Sequence, residues 1–223
     1  MTIKRIACLG DSNTYGFDPL GTPEKRYPPD SRWPDILAKK SGWTVFNLGE
    51  SGRKIPIPTA ERRADLTIAE ALKQIEETLP LDLLVIMLGS NDIEGCLRKA
   101  YVKEAWTGQN AVSETSGRIC QRMRRFLKTL DARFPWLQTL LISPPKLFLL
   151  AEYQDVVDKL QPLYCNAAEK YGVFFASAYA WDIPLSADGV HFSAEGHRIF
   201  AEKLWEEIKA IESGNHAVIA GKA

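Results

Sequence analysis

The chain has 223 residues, 45% hydrophobic and 25% charged, enough to bury one sizeable core in a single α/β domain. Its 28 Lys and Arg balance its 28 Asp and Glu, so no net field draws it to nucleic acid or an anionic membrane. Four cysteines, Cys8, Cys96, Cys120 and Cys165, lack CxxC or His-paired spacing, which argues against zinc or a disulfide framework and for buried free thiols.

Met1 to Arg5 carries no signal-peptide pattern and runs into a first predicted strand, Ile3–Leu9, so a reducing cytoplasm is the expected compartment. Trp33, Ile36 and Leu37 share a helical face after Ser31, with Gly42 as a stop. A second strand is predicted over Trp43–Leu48. Leu66, Ala69, Leu72, Ile75 and Leu79 then keep helical spacing after Asp65. The third strand, Leu83–Leu88, is far too short an apolar run to cross a bilayer. Ile119, Met123, Phe126, Leu127 and Leu130 form the next helical stripe. Its flanking Arg122, Arg124 and Arg125 read as a solvated face.

A fourth strand follows at Leu137–Ser143, then a helix carrying Val156, Val157, Leu160, Tyr164 and Ala167, stopped near Gly172. Val173–Ala176 is the fifth strand. Ser193 can cap a last helix bearing Ile199, Phe200, Leu204, Trp205 and Ile208. This alternation predicts a parallel sheet covered on both faces, as one domain over residues 1–212 with a flexible tail over 213–223. Two long segments, Phe17–Ser31 and Ile93–Ser116, read as loops at the carboxyl edge of the sheet, where such folds bind ligands.

Chemistry is therefore expected just after each strand. Gly10-Asp11-Ser12-Asn13-Thr14 follows strand one, and a serine there can expose its hydroxyl or merely cap a helix. It is not a G-x-S-x-G elbow, because Thr14 holds the second glycine position. After strand two, Gly52 allows close backbone approach to a ligand, or a simple turn. After strand three, Asn91 can donate its amide or hold a turn. Near the end, Asp188-Gly189-Val190-His191 can supply a base and the acid that orients it. Of three histidines only His191 has an acid so placed; His197 lies in the last helical pattern and His216 in the tail.

Together these four blocks resemble the SGNH/GDSL hydrolase superfamily across nearly the whole chain. The resemblance implies Ser12 as nucleophile, Gly52 and Asn91 as oxyanion-hole residues with the Ser12 N–H, and Asp188 and His191 as the orienting acid and the base. Gly10-Asp11-Ser12-x-Thr14-x-Gly16, Arg32-Trp33, Leu79-Pro80-Leu81-Asp82-Leu83, Ile86-Met87-Leu88-Gly89-x-Asn91-Asp92 and Ser143-Pro144-Pro145 resemble more narrowly the bacterial arylesterase/acyltransferase subgroup. Glu50 and Arg53 depart from it by placing charge beside Gly52, which adds polar or sugar-borne esters to the expected substrates.

The expected fold is a flavodoxin-like three-layer α/β/α sandwich with five parallel strands, the first near the centre. The expected function is hydrolysis of short-chain carboxylic esters through an acyl-enzyme, with acyl transfer as a side activity of such relatives. Phe17 and Trp181 are candidate walls of the substrate site. No metal or cofactor is implied, and the partner is a small-molecule ester. Relatives in the subgroup are often oligomeric, so self-association is a further expectation. Two alternatives stand beside this reading: an FMN-binding flavodoxin-like protein using Ser12–Gly16 as a phosphate loop, and a non-catalytic carbohydrate-binding relative.

Overall fold

In the computed structural model, residues 3–21, 24–60, 65–102, 108–148 and 151–216 are described. Strands β1 (Arg5–Gly10), β2 (Thr44–Gly49), β3 (Leu83–Met87), β4 (Gln138–Ser143) and β5 (Phe174–Ser177) pair in parallel in the order β2-β1-β3-β4-β5. This is the doubly wound order predicted, with β1 between its neighbours and each strand close to its apolar run. β3 is buried at every position, which is why its sequence shows no alternation.

The two-residue period of a strand divides the core. Ala7 and Leu9 of β1 face one helical layer, and Ile6 and Cys8 face the other. The first layer holds α3 (Ile68–Glu76), α4 (Ser90–Val102), α5 (Gly108–Arg133) and α6 (Ala151–Lys170). The second holds α2 (Trp33–Ser41) and α7 (Ala194–Ser213), joined through Trp33, Leu37, Phe200 and Leu204. Cys8 and Cys120 are buried, Cys96 and Cys165 half-buried, and all four are free thiols.

Several boundaries differ from the sequence reading. α3 starts after Thr67, not Asp65, because Thr67 and Glu70 close a reciprocal capping box. At its other end α3 stops at Glu76, so Leu79 lies beyond the helix. The segment Ile93–Ser116, expected as a loop, is largely helical. Ile93 and Leu97 bury one face of α4 while Glu94 and Arg98 pair at 2.7 Å along its flank. Residues 103–107 lie outside the described set. Arg122 is not simply solvated: it pairs at 3.0 Å with the buried Asp92. Ordered structure extends past the predicted start of the tail at residue 213. α7 runs to Ser213, Gly214 caps it, and His216 is buried against Phe174 with Glu207 at 3.0 Å. Residues 217–223 lie outside the described set.

Candidate active site

β1 delivers the chain at its carboxyl edge into α1 (Ser12–Tyr15), a single helical turn. Asp11 caps it by accepting the Asn13 N–H at 3.0 Å, and Gly16 ends it in the left-handed conformation. The turn lies hard against the end of β2: a Cβ on Gly49 would stand 2.2 Å from the Tyr15 nitrogen. Only glycine permits that approach. Ser12 is thereby held in the floor of the edge, 8% exposed.

The second group enters from the far end of the chain. The Asp188–His191 turn is pinned by the Ser186 N–H donating to the His191 carbonyl at 2.7 Å and by a bridge between Leu185 and Phe192. His191 Nδ1 lies 2.6 Å from Asp188 Oδ2, and its Nε2 lies 3.0 Å from Ser12 Oγ. An ionised carboxylate only accepts, so the Nδ1–H donates to Asp188 and Nε2 is left to accept the Ser12 hydroxyl. Burial alone would raise the Asp188 carboxyl, but its bonds from the His191 ring and from the His191 and Val190 N–H groups hold it below the ordinary value.

One residue secures this register. Asn13, the neighbour of Ser12, donates its amide to the Val190 carbonyl at 3.3 Å and accepts the Phe192 N–H at 2.8 Å. It therefore holds both residues flanking His191. Phe17 adds an aromatic cover, its ring centroid 4.4 Å from that of His191.

The third group gathers beyond β2 and β3. The Arg53 N–H donates to the Glu50 carbonyl at 3.2 Å, closing a turn whose third residue is Gly52 with φ 78°. A type II turn needs that left-handed φ, and a Cβ on Gly52 would meet nothing within 4 Å. Backbone conformation, not crowding, thus demands the glycine. Asn91 sits in the first turn of α4, not in the open turn considered from sequence, and its amide donates to the Arg53 carbonyl at 3.0 Å. Two strand ends that are remote in sequence meet at this bond.

A seryl hydroxyl aimed at an imidazole, backed by a carboxylate and flanked by a glycine turn and an asparagine, is suited to acyl transfer from an ester. The GDSL-like lipase/acylhydrolase family model matches residues 8–199. The chain belongs to that family. It is an ester-hydrolysing enzyme of the SGNH/GDSL superfamily. No curated protein sequence matches it. Among solved structures it is similar to a carbohydrate acetylesterase family member from Sinorhizobium meliloti, with TM-score 0.71 and 26% identity, covering 95% of this chain and 100% of that one. It is also similar to the inhibitor-bound aryl esterase of M. smegmatis, with TM-score 0.68 and 26% identity, covering 93% and 99%. Membership in an acylhydrolase family speaks against the flavin-loop and binding-module alternatives. Among the described residues no helix is long and apolar enough to cross a membrane.

Other expected site residues fall elsewhere. Trp181 packs edge-on against Phe200 of α7 at 5.1 Å, in the layer beneath the sheet, so the structure does not support it as a substrate wall. Arg53 does not present charge to a ligand: it is 6% exposed, with its guanidinium turned inward. His197 is structural, accepting the Trp33 N–H at 3.4 Å and kept neutral by burial, which pushes its pKa down to about 3.

The sequence reading missed four supports: Asp11, Asn13, Arg53 and Asp92. Asp11 is buried, and burial pushes its carboxyl up to about 6 against the opposing pull of the Asn13 N–H, His191 and Ser90. Asp92 is also raised by burial, offset by the Ile55 N–H at 2.9 Å and by Arg122. Both acids sit in the blocks already singled out, beside Ser12 and Asn91. The available signal was an ionisable residue directly after a buried strand.

Proposed function

We propose that this chain is a serine esterase that hydrolyses short-chain carboxylic esters through an acyl-enzyme on Ser12. The observation that carries the reading is the unbroken path from Ser12 Oγ to His191 Nε2 at 3.0 Å and from His191 Nδ1 to Asp188 at 2.6 Å. Ser12 Oγ attacks the ester carbonyl carbon while His191 Nε2 takes its proton. Asp188 steadies the imidazolium. The N–H groups of Ser12 and Gly52 and the free amide N–H of Asn91 receive the oxyanion. As the tetrahedral adduct collapses, the C–O bond to the alcohol breaks and the leaving alkoxide takes the proton from His191. Water then repeats the sequence against the acyl-Ser12 ester, releasing the acid and restoring the serine.

The Phe17 ring lying over His191 supports a short acyl group, because it narrows the space beside the nucleophile. The similarity to an aryl esterase and to a carbohydrate acetylesterase family member supports acetyl esters of phenols or sugars as the first substrates to test.

An organophosphonate probe should label Ser12 at neutral pH, located by peptide mass spectrometry. Label on a different serine would sink the nucleophile assignment. On a panel of phenolic and sugar esters, specificity constants should fall from acetyl to long acyl chains, and Phe17→Ala should relax that preference. A steady rise towards palmitoyl would overturn the short-chain reading.

A further inference from the structure

The mechanism above needs two donors, Gly52 and Asn91, to point at one oxygen atom. They belong to different segments of chain, and one residue lies between them in every bonding sense. We propose that Arg53 is the positioning residue of the oxyanion hole, setting the Gly52 turn through its side chain and aiming the Asn91 amide through its backbone carbonyl. This inference rests on the esterase reading of the site.

Consider first the side chain. Arg53 follows Gly52 directly, yet it is buried to 6% exposure, unusual for an arginine; both Nη groups find acceptors, while its Nε has none among the described residues. Its Nη1 donates to the Leu48 carbonyl at the end of β2, and its Nη2 donates to Glu50 at 2.7 Å and to Gln74 of α3 at 3.2 Å. These bonds reach across the turn that carries Gly52, from the strand before it to the helix layer beside it. The Arg53 N–H closes the same turn on the Glu50 carbonyl. That closure consumes the Arg53 N–H and not the Gly52 N–H, which lies in the central part of the turn. The planar guanidinium fork thus spans a peptide whose direction decides where the Gly52 donor points.

The carbonyl does the second task. An asparagine amide has two N–H bonds and one oxygen, and a 180° flip exchanges donor for acceptor. Donation from Asn91 Nδ2 to the Arg53 carbonyl at 3.0 Å selects the donor orientation. It occupies one N–H and leaves the other for substrate. The carbonyl itself is kept in place on its far side, because the Ile55 N–H, two residues on, is held at 2.9 Å by Asp92, the neighbour of Asn91. Loop and helix are thereby tied twice. The guanidinium is buried away from the surface, so its influence runs through the Gly52 turn, while the backbone carbonyl acts on Asn91.

The test is Arg53→Met, which keeps the buried stem and removes the fork, assayed for turnover and Michaelis constant on an acetyl ester. A donor moved by about an ångström costs up to roughly 100-fold, so kcat should fall about 10- to 100-fold while KM changes less than about 3-fold. In an Asn91→Ala background the same substitution should still lower kcat, because the Gly52 donor that the fork sets is still in use while the backbone carbonyl that aims Asn91 survives in Arg53→Met. If Arg53→Met does not fold, as judged by circular dichroism, Gln74→Ala removes one anchor with Arg53 in place and should give a smaller kcat loss with unchanged KM. Undiminished kcat in the folded variant, a loss confined to KM, or no further kcat loss in the Asn91→Ala background would overturn the proposal. Ser12→Ala run alongside separates the two levels. If it retains wild-type turnover, the esterase reading itself falls. If it is inactive while the folded Arg53 variant is unimpaired, only the role of Arg53 falls.

Discussion

The two halves of the active site are held by different means. On the proton-transfer side, Ser12, His191 and Asp188 meet side chain to side chain at 3.0 and 2.6 Å. On the proposed oxyanion side, Gly52 contributes only backbone and Asn91 reaches the loop through a carbonyl oxygen. The first half is specified by residue identity, so losing a side chain removes a chemical group. The second is specified by conformation, so its donors survive most substitutions but can be misaimed. The two halves should therefore fail differently.

The largest effect is expected on the first side. His191→Ala should lower kcat by roughly 10⁴–10⁶-fold, with Asp188→Asn roughly 10- to 100-fold milder, since the base carries the proton and the acid only orients and stabilises it. Steady-state kinetics on one acetyl ester suffice, and near wild-type rates in either variant would contradict the roles. On the second side, Asn91→Ala should cut kcat by about 10²–10³, with KM nearly constant, because the oxyanion bond strengthens only as charge develops. A folded variant that lost affinity and kept its turnover would make Asn91 a ground-state binding group.

Asn13 probes what connects the halves of the first side. Asn13→Ala removes the grip on Val190 and Phe192 but leaves the triad chemically intact, so kcat should fall by only about 10-fold. A loss as large as that of His191→Ala would mean that Asn13 holds the fold of the turn itself, which a thermal melt would reveal.

The smallest expected change concerns stability and pH. Asp11 has its carboxyl pushed by burial from 3.8 to about 6, so the protonated form is favoured in the folded state. Its contribution to stability is full below pH 3.8 and is lost as pH rises through about 6, a change of about 3 kcal/mol for two pKa units. Asp188 works in the opposite sense. Held below 3.8, it stabilises above the ordinary carboxylate range and loses that contribution as pH falls through its lowered value. Asp11→Asn should keep the helix cap, raise the melting temperature at neutral pH and flatten the pH dependence between 4 and 6. An unchanged melting curve across that window would show that the Asp11 charge is not costly.

Much of the fold was legible because burial on both sides leaves its mark on a strand. Five apolar runs identified five strands, and Gly42 and Ser193 marked the end of α2 and the start of α7. The triad was legible for a related reason: nucleophile, base and acid have distinctive side chains, and Asp188 and His191 lie within one turn. Helix α4 escaped notice because its first turn is polar and, among its described residues, Ile93 and Leu97 are the only fully buried hydrophobics. Trp181 misled because nearness in sequence to Asp188 does not set which layer an indole enters.

What the sequence by itself determined is the order of strands and helices and the chemistry present at each strand end, since both follow from residue type and spacing. What only the tertiary structure decided is direction. Arg53 turns inward rather than towards a ligand, Asn91 presents its amide to a carbonyl 38 positions earlier, and Asn13 clasps a loop 177 residues away. Backbone donors and acceptors are the same at every residue. Their pairing carries no signature in the chain and is settled only when strand ends distant in sequence are packed side by side.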